Sequence, residues 1–200
     1  MQVTDGQRLR RSLAAVVLAA LVALVALGPA GPAMAEPQGG DSRARVEGAF
    51  LVNFIRFTEW PRSRFAGDGA PCVLVVVGSE AVADAVREVA HAAGTVQGRR
   101  IEVRQVDGDR MQRQRDVLRA AHVVFVDRSG GVAAEDAIDL LQGAPILTVG
   151  DSAGFVRAGG MLGLVVSGSR VGFVANPGAI RQGGLTVSAK VLKLARDTTP

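Results

Sequence analysis

Cys72-Val73-Leu74-Val75-Val76-Val77-Gly78 is apolar at every position up to its closing glycine. A strand with one wet face would alternate, so this run predicts a strand covered on both sides, as in sheets flanked by helices. Working outward, Ser79 to about His91 places Val82, Val86 and Val89 on one side of a helix. Ile101–Val106 alternates as a strand, and the polar stretch Asp109–Ala120 is compatible with a helix. His122–Val126 is a second β-branched strand, Ala133–Leu141 a helix, and Pro145–Val149 a further strand. Strand, helix, strand in repeated order implies parallel pairing through helical crossovers. The last third changes character. Met161–Val166 and Val171–Ala175 flank Ser167-Gly168-Ser169-Arg170, a hairpin signal. A final helix is expected over Thr186–Arg196, with Val187, Val191 and Leu194 on one face.

Upstream, apolar residues recur at Val46, Ala49, Phe50, Phe54 and Phe57, the spacing of one helical face, and Pro61 stops the helix. Asp41 or Ser42 is the expected cap, with the helix over 44–59. The predicted fold is α/β: a single-domain layered sandwich around a mixed sheet. Its strands are mostly in parallel βαβ order, followed by a C-terminal antiparallel hairpin and a final helix.

Ahead of this domain, Arg8, Arg10 and Arg11 precede the apolar run Leu13–Leu27, and Ala33-Met34-Ala35 offers small residues at a cleavage site. Fifteen apolar residues fall short of the roughly 20 needed to span a bilayer. The expectation is therefore a cleaved signal peptide over residues 1–35, a flexible leader over 36–42, and one α/β domain over 43–197. Arg10-Arg11 leaves the twin-arginine route open beside general secretion. Once Arg8, Arg10, Arg11 and Asp5 are removed, 20 basic and 18 acidic side chains remain. That balance carries no electrostatic footprint for nucleic acid. The chain has 48% hydrophobic and 21% charged residues, which excludes a disordered chain.

Catalytic and metal chemistry have little to work with. No GxSxG elbow, phosphate loop of the GxxxxGK[ST] type or GxGxxG turn after the first strand is present. The two histidines differ in setting: His91 lies late in a helix, and His122 opens a strand whose edge it is expected to face. Cys72, the lone cysteine, is expected to be buried. No catalytic residue, metal site or cofactor is expected. The parallel order gathers Gly78-Ser79-Glu80, Asp107-Gly108-Asp109, Asp127-Arg128-Ser129 and Gly150-Asp151-Ser152 at one sheet edge, where open α/β sheets bind ligands. Serine and aspartate there also serve simply as helix caps.

The segment Asp151–Met161 is the most unusual. Phe155 and Arg157 stand between Gly154 and Gly159-Gly160. A loop presenting these residues suits a partner or a ligand. In the other reading Phe155 tucks into the core and Arg157 is solvated. Trp60, held between Glu59 and Pro61, is expected to join the same recognition surface. The candidate site residues are thus Glu59, Trp60, Asp151, Phe155 and Arg157, with Trp60 in the core and an Arg157 ion pair within the chain as the structural alternative.

Gly48-Ala49-Phe50-Leu51-Val52-Asn53-Phe54-Ile55-Arg56-Phe57-Thr58-Glu59-Trp60-Pro61 resembles the opening of the YfiR-like periplasmic proteins. Further matches are Cys72–Gly78, Gly98–Val103, His122–Val126, Ile146–Asp151, Gly154–Met161 and Gly184–Ala195. The resemblance implies a non-enzymatic periplasmic regulator that binds and inhibits an inner-membrane signalling protein through its periplasmic domain. That partner would be a diguanylate cyclase of the YfiN type, so that cyclic di-GMP signalling and biofilm formation are limited. It also implies dimerisation and redox sensitivity through cysteines. Here the sequence departs: Ala121 stands where relatives often carry Cys, so redox control would need a Cys72–Cys72 bridge between chains. The alternative function is a periplasmic small-ligand-binding module.

Overall fold

The computed structural model describes residues 39–167 and 170–196. The expected signal peptide, the first part of the expected leader, the hairpin tip Gly168-Ser169 and the last four residues lie outside them.

Helix α1 (Gly39–Arg56) begins four residues ahead of the expected domain start, so the second half of the expected flexible leader is helical. Ser42 therefore sits inside the helix rather than at its cap. The buried face is also rotated from the expected one. Ala44, Glu47, Gly48, Leu51, Val52, Phe54 and Ile55 face inward, while Val46 and Phe57 are 39% and 38% exposed. Gly48 explains the rotation. A Cβ there would meet Val86 and Val89 of the next helix at 3.3 Å, so α1 crosses that helix closely on its glycine side. The helix stops at Arg56, because Thr58–Glu59 (β1) pairs antiparallel with Thr186–Val187 (β9). The Gln97 amide donates to the carbonyls of Ile55, Arg56 and Thr58 and so satisfies the helix end.

The main sheet has seven strands in the order β3-β4-β2-β5-β6-β7-β8. These are β2 (Cys72–Val77), β3 (Thr95–Val96), β4 (Arg99–Val106), β5 (Val123–Val126), β6 (Leu147–Gly150), β7 (Leu162–Ser167) and β8 (Arg170–Ala175). The pairs β2/β4, β2/β5, β5/β6 and β6/β7 are parallel, whereas β7/β8 form the expected antiparallel hairpin. The β3–β4 hairpin was not foreseen. It turns through Gln97 (φ 53°) and Gly98 (φ 75°), two left-handed residues that suit a two-residue connection.

Apolarity on both faces of β2 has the expected cause. Leu74 and Val76 point into a core with α1 and α2 (Glu80–Ala93), and Val75 and Val77 into a second core with α4 (Ala134–Leu141). Each fully buried valine contributes about 1.5–3 kcal/mol. Between β4 and β5 the expected helix shrinks to a 3-10 turn at Gly108–Arg110 and the short α3 (Arg115–Arg119).

The C-terminus departs most. A helix α5 (Pro177–Gln182), capped by Asn176, precedes β9, and the expected helix over Thr186–Arg196 is reduced to α6 (Ala189–Leu192). Thr186 and Val187 are drawn into the ladder with β1, and Ser188 donates its N–H to the Phe57 carbonyl at 2.9 Å. Arg196 N–H then closes on the Phe173 carbonyl of the outer strand β8 at 2.9 Å. Among the described residues no helix is long and apolar enough to cross a membrane.

Candidate functional site at the carboxyl edge of the sheet

The parallel strands bring Gly78, Asp127 and Asp151 to one edge, as expected. The capping explanation holds for Ser79, whose Oγ accepts the Val82 N–H and starts α2. It does not hold for the two aspartates, which enter a buried ionic cluster instead. Asp127 is 4% exposed and accepts the Ser129 hydroxyl. Its side chain presses on Gly78, where a Cβ would lie 2.7 Å away, so any larger residue is excluded there.

Asp151 is 7% exposed and has three contacts: Arg43 Nη2 on α1, the Arg128 backbone N–H at 2.7 Å, and Arg128 Nε at 3.5 Å. Arg43 also reaches Glu47, 2% exposed, through Nε at 2.6 Å. Burial pushes the Asp151 carboxyl up to about 6, the Asp127 charge adds to the shift, and Arg43 opposes it. Burial also raises Glu47, against the hydrogen bond from Arg43.

Beside this cluster, the turn after β6 is built around Phe155, which is 1% exposed. Its ring fills the space a Cβ would need on either Gly150 or Gly160. The expectation that Phe155 projects is therefore corrected: the glycines admit the ring to the core and do not free the loop to present it. Arg157 does project. It is exposed and makes no ion pair among the described residues. Arg157 and Arg128 flank a cleft of about 480 Å³ whose wall includes Asp151 and the half-buried Val165 and Val174 of the hairpin.

Trp60 and Glu59 lie elsewhere. His122 precedes β5, so it marks the amino edge of the sheet, and Trp60 Nε1 donates to its carbonyl at 3.0 Å. Trp60 is 8% exposed, with its ring edge-on to the imidazole. Its expected place on a recognition surface with Arg157 is thus corrected: it is a core residue on the opposite edge. Glu59 is exposed in the β1/β9 ladder and also stands apart from Asp151.

His122 itself is buried, not edge-facing as expected. Its Nδ1 accepts the Val73 N–H at 3.0 Å, Phe65 stacks on it at 4.3 Å, and Arg99 covers Phe65 at 3.9 Å. Burial, then the Arg64 charge, push its pKa down to about 4. Cys72 is 2% exposed, and burial raises its thiol to about 12, far from thiolate reactivity.

Of the cluster, the sequence reading named Asp151 as a site residue and Asp127 and Arg128 only as loop residues, and it missed Arg43 and Glu47. The available signal was the i,i+4 spacing of Arg43 and Glu47 beside the apolar stripe.

Solved structures share the architecture. A conserved domain protein from Vibrio cholerae O1 biovar El Tor is 14% identical, with a TM-score of 0.56, over 78% of this chain and 60% of that one. An ABC domain from Streptococcus pneumoniae, solved in complex with L-Trp, is 15% identical, with a TM-score of 0.55, over 74% of this chain and 60% of that one. At this identity the likeness is one of fold, and the chain spans about 60% of the length of either neighbour. The model of the YfiR/HmsC-like family, by contrast, matches residues 44–196, from the second turn of α1 through the last described residue. The chain belongs to the YfiR/HmsC-like family.

Proposed function

We propose that this protein is an exported, non-enzymatic regulator. After cleavage following Ala35, it binds the periplasmic domain of an inner-membrane signalling protein, a diguanylate cyclase of the YfiN type, and holds it inactive, which limits cyclic di-GMP signalling. Family membership supports the regulatory class. The observation that carries the binding reading is the cleft, where two guanidiniums flank half-buried valines. Such a surface fits a partner segment offering an apolar side chain next to a carboxylate. A charge-assisted hydrogen bond from Arg157 would add about 1.5–3 kcal/mol, roughly tenfold or more in affinity.

The test is genetic and then physical. Deletion of the gene is expected to raise cyclic di-GMP, and re-expression of the wild-type chain to restore it. Arg157→Ala, with unchanged circular dichroism, should restore it poorly. An unchanged cyclic di-GMP level on deletion, with no membrane protein co-purifying, would overturn the reading.

A small-molecule module is the second reading. The cleft volume lies within the range of about 300–1,000 Å³ usual for ligand pockets, and one structural neighbour was solved with L-Trp. A stoichiometric small ligand in the purified protein would favour it.

A further inference from the structure

Five charged side chains from three segments meet at the carboxyl edge: Arg43 and Glu47 of α1, Asp127 and Arg128 after β5, and Asp151 after β6. Those facing Asp151 are Arg43 and Glu47 from the helix and Asp127 and Arg128 from the neighbouring loop, while Arg157 shares the adjoining cleft. At the amino end of α2, Ser79 lines the space beside the cluster, while the exposed Glu80 pairs with Arg87 of its own helix at 3.2 Å.

The count does not balance. Three buried carboxylates stand beside two guanidiniums: Arg43 pairs with Glu47 and Asp151, Arg128 with Asp151, and Asp127 has, among the described residues, only the Ser129 hydroxyl. The Arg128 side chain is 55% exposed, so water weakens its compensation. With every group ionised, the cluster holds an excess buried negative charge, which one proton removes.

The partners also differ in how firmly they are held. Asp127 and Asp151 follow directly on strands of the sheet, and Asp127 is wedged against Gly78. Arg43 and Glu47 ride on the early turns of α1, ahead of the heavily packed Leu51–Ile55. Between those turns and the sheet edge lies a cavity of about 350 Å³, lined by Arg43, Ala44, Glu47, Ser79, Asp127 and Ser129. Water has room to enter there once the helix lifts.

We propose that this cluster is a proton-operated clasp: mild acid fastens the first turns of α1 to the carboxyl edge of the sheet, and rising pH loosens them. The sign follows from linkage. A carboxyl whose pKa is higher in the closed state than in water is protonated on closing, so protons favour closure. Asp151 sits at about 6 when enclosed, against 3.8 in water. If it regains water on opening, the opening equilibrium rises about tenfold between pH 5 and pH 7. Arg128 belongs to both the clasp and the cleft, so the cleft senses the same proton. The clasp itself requires no partner and stands whether or not the regulatory reading does.

Backbone amide exchange on the purified protein tests it, corrected for the intrinsic pH dependence of exchange. Protection over residues 44–48 is expected to fall about tenfold from pH 5 to pH 7. In Asp151→Asn, which holds the position neutral, protection should stay high and flat. Carbon-13 titration of the Asp151 carboxyl in the wild type provides a readout independent of that variant, with a midpoint expected near 6. Equal protection at both pH values in the wild type, the same fall in Asp151→Asn, or an Asp151 midpoint near 4 would each overturn the clasp.

Discussion

The ring of Phe155 lies directly against the Cα of Gly160, in the space a methyl group on that glycine would occupy, and Gly150 flanks the ring in the same way. Here glycine is required by a side chain and not by a turn, since no left-handed φ occurs at either position.

Gly160→Ala should therefore destabilise the protein by about 1–3 kcal/mol through overpacking, and Phe155→Ala by about 3–5 kcal/mol through the cavity it leaves. In the double variant the two costs should fall short of their sum, because the missing ring relieves the side-chain part of the clash, while the Phe155 carbonyl, 2.8 Å from the same position, still crowds the methyl. Urea unfolding of the three variants measures this. Strict additivity would show that the ring and the glycine are not in contact.

Trp60→Phe retains most of the buried area but removes the donor to the His122 carbonyl. The carbonyl keeps the Leu147 N–H at 2.9 Å, so a loss of about 0.5–1.5 kcal/mol is expected for the one missing hydrogen bond, with partner inhibition unchanged per folded molecule. Reduced inhibition at full stability would place Trp60 on the binding surface after all.

His122 and Asp151 pull the pH dependence of stability in opposite directions. The imidazole sits near 4 in the fold against 6.5 in water, so its contribution is complete above about 6.5 and is lost as pH falls toward 4. The full excursion is about 3 kcal/mol. Asp151 favours the fold on acidification between about 6 and 3.8 and partly cancels the loss. His122→Asn, which keeps an acceptor near the Val73 N–H and cannot charge, should flatten the acid loss. The test is the urea midpoint followed from pH 7 to pH 4 in the wild type and this variant.

Cys72 should react with a thiol reagent only as fast as the protein unfolds, because the side chain is 2% exposed and its thiol titrates near 12. Labelling within seconds under native conditions would contradict its burial. The same burial opposes a Cys72–Cys72 bridge between folded chains, so redox control by that route should be absent: oxidised and reduced samples should run at the same size.

Much of the fold was legible because it rests on local pattern. The unbroken apolar run of β2, the alternation of β4 and the hairpin signal around residues 167–170 follow from periods that any covered strand, half-covered strand or tight connection must obey. The strand-helix order then allowed few topologies, and the edge loops fell where parallel pairing puts them.

Failures began where two distant segments compete for one stretch of chain. Thr186–Val187 reads as helix by spacing, yet its backbone is claimed by β1, more than a hundred residues earlier. The α1 stripe rotated because Gly48 lets α2 approach, and glycine carries no hydrophobic signal of its own.

The site divides along the same line. Sequence alone determined that Asp127, Asp151 and Arg157 would gather near one sheet edge, since strand direction decides that. Only the tertiary structure decided that Phe155 and Trp60 turn inward, Arg157 outward, and that Arg43 and Glu47 complete the ionic cluster. A side chain's direction depends on what packs against it, and ion pairs spanning 108 positions leave no local period to read.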